Sequence, residues 1–120
     1  MQWMLIMRDE DAAAVERRDG PFEEMMARMR RYNAAMAEAG VLVTAQGLMP
    51  PDAGIVLDFS AEPPLVTDGP YGETKELFNG FWIIDVDSRE AAVEWAARAP
   101  LGPGTRLELR QVQGESDLQR

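Results

Sequence analysis

The sequence predicts a single α+β domain in which two helices cover one face of a mostly antiparallel sheet. Three observations indicate it. Short runs of β-branched and aromatic residues are typical of strands, two longer stretches carry apolar residues at helical spacing, and Gly and Pro fill the connections. The elements follow as strand, helix, strand, hairpin, strand, helix, strand, the split βαβ order of a ferredoxin-like fold with an extra hairpin. At 120 residues the chain can bury a core without disulfides or a metal.

The amino-terminal third predicts a strand followed by a long helix. Gln2–Met7 is short, apolar and stopped by charged residues, as a buried strand is. Pro21 suits the first turn of a helix and Gly40 suits the residue after its end, so the helix is expected to run to about Ala39. Apolar residues at spacings of three and four predict its buried stripe: Phe22, Met25, Met26, Met29, Tyr32 and Met36.

The middle of the chain predicts a strand, a hairpin and a central strand. Val41–Leu48 is the strand, and Ile55–Phe59 with Leu65–Thr67 flanks a proline-containing turn whose tip is expected to be exposed. Leu77–Val86 has the β-branched and aromatic content of a central strand. Gly80 within it predicts a bulge or a close approach of two backbones.

The carboxyl-terminal third predicts a second helix and a last strand. Asp87 is expected to cap the helix, with Glu90 three residues on in a capping-box arrangement. Arg106–Val112 alternates as a strand, so the domain is expected to span residues 1–112 and to be followed by a polar tail at 113–120. Small side chains predict a closely packed helix face: Ala92, Val93, Ala96 and Ala97.

Both faces of the central strand are apolar, which predicts a second copy of the chain. Helices can cover one face of the sheet, and an apolar second face needs another cover. A two-fold partner is the simplest one, so a homodimer is expected. The two alternating sets are Phe81, Ile83 and Asp85 on one face, and Trp82, Ile84 and Val86 on the other.

Composition excludes several classes of function. There is no cysteine, hence no disulfide or thiolate site, and no histidine, hence no Ser-His or Cys-His nucleophile and no axial imidazole for a haem. With 12 basic and 21 acidic residues the net charge is −9, which argues against direct binding to nucleic acid. No apolar run is long enough for a membrane span and the amino terminus lacks a signal-peptide pattern, so a cytoplasmic protein is expected.

The stretch from Val66 to Glu76 is where a small-molecule site is expected. Asp68, Gly69 and Pro70 form a turn, and Gly80 in the strand that follows marks a bulge or a close backbone approach. An alternative reading of the polar residues is structural, with the aspartate capping the turn and the lysine paired with a neighbouring glutamate. If the stretch is a site, its polar members are Asp68, Tyr71, Glu73 and Lys75, and Phe81 or Trp82 could supply an apolar wall.

Several runs of this region resemble the signature of a known family. They are Val66-Thr67-Asp68-Gly69-Pro70-Tyr71, Glu73-Thr74-Lys75-Glu76, Gly80-Phe81-Trp82 and Ile84-Asp85-Val86. The chain resembles the DGPF subgroup of YCII-related proteins, named for Asp-Gly-Pro-Phe, with Tyr71 in place of the phenylalanine. The resemblance implies a ferredoxin-like fold paired into a dimeric α/β barrel. In the wider group a His/Asp pair has been proposed as catalytic, and here only an aspartate could remain.

Two functions follow as hypotheses. In the first, a homodimer binds a small molecule in a cleft near Asp68, which acts as an acid/base or hydrogen-bonding carboxylate, with Tyr71 as a donor and Lys75 facing an anionic group. No metal or cofactor is required. In the second, the protein is a non-enzymatic regulatory or interaction dimer, because DGPF-type sequences resemble domains found beside extracytoplasmic-function sigma factors. Kinship with haem-degrading or quinol-forming monooxygenases is disfavoured because an axial imidazole is absent.

Overall fold

The computed structural model of the chain describes residues 1–9, 22–68 and 77–118. Its strands are β1 (Gln2–Asp9), β2 (Leu42–Gly47), β3 (Ile55–Asp58), β4 (Leu65–Asp68), β5 (Leu77–Asp85) and β6 (Thr105–Gln111). Its helices are α1 (Phe22–Glu38) and α2 (Arg89–Ala97), and short 3-10 turns span Pro51–Ala53 and Glu115–Leu118.

A four-stranded sheet has the order β2-β5-β1-β6 and every pairing in it is antiparallel. The hairpin β3–β4 is a separate two-stranded sheet inserted between β2 and β5. When the hairpin is left out, the chain has four strands in the order β1, β2, β5 and β6. Strands β1 and β5 are central in the sheet, and β2 and β6 are at its edges. This is the ferredoxin-like arrangement, so the predicted fold class is confirmed.

The core lies between the two helices and one face of the sheet. Leu5 and Ile84 of the central strands are fully buried, as are Met36 of α1 and Ala92 of α2. Packing of this apolar surface is the main stabilising term of such a domain. The predicted stripe of α1 is thus confirmed where it meets the sheet, while Met26 at its margin is exposed.

The end of α1 is set by local chemistry that the sequence predicted. Gly40 has φ +75°, which residues with a Cβ rarely adopt. The N–H of Gly40 donates to the Ala37 carbonyl at 3.0 Å and that of Val41 to the Met36 carbonyl at 3.0 Å. This pair of bonds is the Schellman motif, which satisfies carbonyls at the helix end.

The start of α2 differs from the expectation. Ser88 is the N-cap, and its hydroxyl accepts a hydrogen bond from the Ala91 N–H at 3.1 Å. The prediction that Asp87 caps this helix was wrong by one residue. Asp87 and Ser88 are both residue types that can cap a helix, so the sequence alone does not determine at which of them the helix begins. Val93, expected on the packed face, is 47% exposed.

The remaining differences are at the ends of elements. Strand β1 continues two residues beyond Met7, because Arg8 and Asp9 pair with both β5 and β6. The polar tail contains the turn Glu115–Leu118, in which the Asp117 carboxylate accepts a hydrogen bond from the Gly114 N–H at 2.8 Å.

Candidate functional site

The sheet face opposite the helices carries an apolar patch next to charged groups. Residues paired across strands share a face, and Ile6 of β1 is paired with Phe81 of β5 and Glu108 of β6. The core residue Trp82 lies on the other face, beneath the helices. We call the surface opposite the helices the open face, and define it by Met4, Ile6, Arg8, Phe78, Phe81, Ile83, Arg106, Glu108 and Arg110.

An ion pair stands at one end of the open face. The Nε of Arg8 donates a hydrogen bond to Oε1 of Glu108 at 2.7 Å, and both side chains are partly exposed. The Arg8 guanidinium also lies over the Phe78 ring, 5.9 Å from its centroid. Such a half-exposed pair adds little to stability, roughly 0–1 kcal/mol. Its geometry matters more, because the two contacts fix the direction of the guanidinium.

The aromatic residues beside the ion pair are held by a bulge in β5. Met7 is paired with Gly80 and Arg8 with Phe78, so Asn79 is the extra residue of β5. Phe78 and Phe81 are thereby brought to the same face, with ring centroids 6.4 Å apart in an edge-to-face arrangement. The prediction of a bulge near Gly80 is confirmed.

Gly80 also allows a close approach of two backbones, which was the second feature predicted from this glycine. A Cβ at this position would lie 3.0 Å from the backbone oxygen of Gln46 in β2. A side chain there would push the two strands apart. Gly80 therefore permits the close contact between β2 and β5, and it lies next to the bulge residue Asn79.

On the helix side of the sheet, a buried carboxylate ties the same end together. Asp9 is fully buried and accepts hydrogen bonds from the Asn79 amide and from the Thr105 hydroxyl, the latter at 2.7 Å. These residues belong to β1, β5 and β6, so the cluster fixes three strands beneath Arg8 and Phe78. Sequence reasoning missed it, although Asp at the end of an apolar strand and Asn within another were available signals.

Phe81 and Trp82, either of which could supply an apolar wall, point to opposite faces of the sheet, as their alternation along the strand predicts. The Trp82 indole N–H donates to Oδ1 of Asn33 in α1 at 2.7 Å. Its ring meets the Tyr32 ring edge-on, with centroids 5.5 Å apart and an interplanar angle of 89°. Trp82 is therefore a core residue, and only Phe81 contributes to the open face.

Tyr32 completes this part of the core. Its hydroxyl donates to the Trp95 carbonyl at 2.7 Å and so links α1 to α2. Burial raises the pKa of Tyr32 to about 12, and the charge of Arg98 opposes that rise. Arg98 itself lies over the Trp95 ring, 4.2 Å from its centroid. This group has the features of a helix-packing contact rather than a ligand site.

Asp68, the main residue of the expected cleft, lies at the end of β4 opposite Ile55 and is exposed. Its role stays a prediction. The other members of that stretch lie outside the described residues: Gly69, Pro70, Tyr71, Glu73 and Lys75.

Across 1–9, 22–68 and 77–118, no group of three or more acidic side chains is arranged to hold a metal ion. The helices of that part of the chain are too short or too polar to cross a membrane.

Comparisons with known proteins place the chain in a family. It is similar in structure to 5-chloro-2-hydroxyhydroquinone dehydrochlorinase of Burkholderia phenoliruptrix in complex with 2,5-dihydroxybenzoquinone, with a TM-score of 0.48, 13% identity, and 98% and 99% of the two chains covered. It is 36% identical over 74 residues to an uncharacterised protein of Rhizobium meliloti, a match that spans 62% of this chain and 60% of the relative. Residues 1–113 match the YCII-related domain, and the chain therefore belongs to the YCII-related family.

Proposed function

We propose that this protein is a cytoplasmic homodimer that binds a small anionic molecule with an apolar or aromatic body on the open face, and that Glu108 is positioned to exchange a proton with it. The observation that carries the proposal is the Arg8–Glu108 pair beside Phe78. A charged pair, an aromatic ring and apolar neighbours within one accessible surface are the usual components of a small-molecule site.

Arg8 supplies the recognition of the anion. Its Nε is used by Glu108, and its terminal amino groups make no hydrogen bond to another described residue. These groups present two parallel N–H donors, which suit the two oxygens of a carboxylate. The ring contact with Phe78 limits the motion of the guanidinium. Less conformational freedom is then lost when a ligand binds.

Phe81 and Ile83 supply the apolar surface for the body of the ligand. Both are only partly buried in the single chain. A flat ligand resting on Phe81 would remove apolar area from water at about 25 cal/mol per Å². A second copy over the same face would raise the local electrostatic interactions by excluding water. The dimer would therefore strengthen both the apolar contact and the electrostatic interactions that hold the ligand.

Glu108 supplies the acid/base group. Its carboxylate accepts the Arg8 N–H at 2.7 Å, so a hydroxyl group of a ligand whose carboxylate is bound by the same guanidinium can lie next to it. The ionised Glu108 would take the proton of that hydroxyl and become neutral, and the ligand oxygen would keep the negative charge beside Arg8. Proton transfer needs the partners within hydrogen-bond reach, which this arrangement allows. Asp68, the exposed last residue of β4, is proposed as a second carboxylate of the site.

The test is binding of a library of aliphatic and aromatic carboxylic acids, measured by thermal shift and then by calorimetry. Wild type is compared with Arg8→Gln and with Arg89→Gln, which makes the same change of charge on the exposed start of α2. A ligand at one hundred times its Kd should stabilise wild type by about 2.7 kcal/mol. Arg8→Gln should weaken binding at least tenfold and Arg89→Gln should not. Equal binding by the two variants would contradict the proposed site.

A second candidate is a regulatory or interaction dimer with a link to an extracytoplasmic-function sigma factor. The observation that favours it is the hairpin β3–β4, whose apolar side chains are largely exposed. Exposed apolar patches often mark interfaces with other chains. In this case no small acid would bind, and a sigma factor would co-elute with the wild-type chain but not with a variant of the hairpin.

A further inference from the structure

We propose that Asn79 is a positioning residue of the site: its amide, bound to Asp9, fixes the bulge of β5 that places the Phe78 ring under the Arg8 guanidinium. The inference rests on the proposed function, because it concerns how the same site is held ready for its ligand. Asn79 acts from the helix side of the sheet, where its side chain donates to the buried Asp9 carboxylate.

The register of β5 decides on which face the Phe78 ring lies. Gly80 is paired with the core residue Met7, so position 80 belongs to the helix side of the sheet. In a regular strand, position 79 would then be on the open face and position 78 on the helix side. The bulge changes this alternation, because Arg8 is paired with Phe78 and Asn79 is left as an extra residue. Phe78 therefore shares the face of Arg8 only in the bulged register.

Asn79 is held in this register from both neighbouring strands. Its side-chain amide donates to Oδ2 of Asp9 in β1. Its backbone carbonyl accepts a hydrogen bond from the N–H of Leu48, the residue after β2, at 2.9 Å. The other oxygen of the Asp9 carboxylate accepts the Thr105 hydroxyl at 2.7 Å. Turning the amide to the open face would take one donor away from a fully buried carboxylate, which is unfavourable, so the hydrogen bond selects the bulge.

The bulge gives the guanidinium its support. The Phe78 ring centroid is 5.9 Å from Cζ of Arg8, and the Phe81 ring meets the Phe78 ring at 6.4 Å between centroids. From another direction, Glu108 accepts the Arg8 Nε–H at 2.7 Å. The ring and the carboxylate together orient the group that is to bind an anion. Without the ring, an aromatic acid should bind about fivefold more weakly, as expected for the loss of one cation–π contact at an exposed site.

The direct test is the nitrogen–proton correlation of the Arg8 Nε–H by NMR, which needs no ligand. Phe78→Leu first defines the change in chemical shift that follows from losing the ring. Asn79→Leu should reproduce that change, because leucine cannot donate to Asp9 and the reason for the bulge is removed. If Asn79→Leu leaves the Arg8 resonance at its wild-type position, the inference is overturned.

Thr105→Val is the matched control. It removes the other hydrogen bond to Asp9 and leaves β5 unchanged. This variant should melt at a lower temperature than wild type but keep the Arg8 resonance in place. A shift of that resonance in Thr105→Val equal to the shift in Asn79→Leu would show that the whole cluster, and not the bulge, orients Arg8, and the inference would fail.

Deletion of Asn79 separates positioning from stability. In that variant Phe78 directly precedes Gly80, so regular alternation alone puts Phe78 opposite Arg8 on the open face. The deletion loses the same hydrogen bond to Asp9 as Asn79→Leu, and a purely stabilising role predicts that it is at least as damaging. Positioning predicts the reverse order for the Arg8 resonance, which the deletion should keep and the substitution should lose. If the deletion variant does not fold, the substitution and the Thr105→Val control still decide the inference.

Binding of benzoate, an aromatic acid of the library, links the inference to the site. By calorimetry, Asn79→Leu and Phe78→Leu should bind benzoate about fivefold more weakly than wild type, whereas Thr105→Val should bind it as wild type does. If no acid binds wild type while the Arg8 resonance behaves as described, the proposed function fails and the positioning role stands. If Asn79→Leu keeps both the resonance and the affinity of wild type, the positioning role fails and the proposed function stands.

Discussion

The buried cluster around Asp9 allows a quantitative prediction for stability. In Asp9→Ala the Asn79 amide and the Thr105 hydroxyl lose the carboxylate oxygens that they contact. A buried group left without a partner costs about 1–3 kcal/mol. Two such groups predict a loss of roughly 3 kcal/mol or more in the free energy of unfolding, with a further term for the cavity.

Asp9→Asn should cost much less. The new amide keeps one acceptor oxygen for Asn79, and its N–H group can donate to the Thr105 hydroxyl, which rotates to accept. Both contacts survive as neutral hydrogen bonds, each weaker by about 1 kcal/mol than a bond to a charged group. The expected loss is therefore about 2 kcal/mol or below, and the order of stability is wild type, then Asp9→Asn, then Asp9→Ala.

The assay is urea denaturation followed by fluorescence and circular dichroism, supported by thermal melting. A loss of about 3 kcal/mol should lower the Tm of a domain of this size by roughly ten degrees. Asp87→Ala serves as the control, since Asp87 is exposed and does not cap α2. If Asp9→Ala costs less than 1 kcal/mol, or no more than Asp9→Asn, the argument that Asp9 holds the three strands together is refuted.

Two further predictions concern the helices. Tyr32→Phe should cost about 1 kcal/mol at neutral pH, because the hydrogen bond that joins α1 to α2 is lost. In the folded protein the pKa of Tyr32 is raised from 10.0 to about 12, so its contribution to the free energy of unfolding is fully present below pH 10 and disappears as the pH rises through 12. Urea titrations should show the stability difference between wild type and Tyr32→Phe closing over that range. A difference that stays constant would contradict the burial argument. Ser88→Ala should lower the free energy of unfolding by about 1 kcal/mol, because it removes the cap of α2. Asp87→Ala should change the melting temperature by less than one third of the change caused by Ser88→Ala. The reverse order would show that Asp87 is the cap.

Local patterns in the sequence were sufficient for the fold. The spacing of Tyr32 and Met36 predicts the buried side of α1, and Gly40 predicts its end, because both depend on backbone geometry within a few residues. The strand order followed from the order of the elements, which is the split βαβ order of a ferredoxin-like fold. Even the bulge near Gly80 could be expected, since a glycine within a strand has few other uses.

The candidate site depended on tertiary structure. Asp9 meets Asn79 and Thr105 across separations of 70 and 96 residues, and Arg8 meets Glu108 across 100. No local pattern contains such pairs, because they are set by the register of β1 against two distant strands, and a shift of one residue would move every side chain to the other face.

The same physical reason explains which of two candidate residues was used. Strand alternation predicts that Phe81 and Trp82 lie on opposite faces, but only the position of the helices shows that Trp82 is on the core side and Phe81 on the open face. Asp87 and Ser88 are both capable caps, and only the packing of α2 against the sheet selects between them. The sequence by itself determined which elements form and in what order. The tertiary structure decided which residues meet, because those meetings depend on strand register and helix packing over the whole domain.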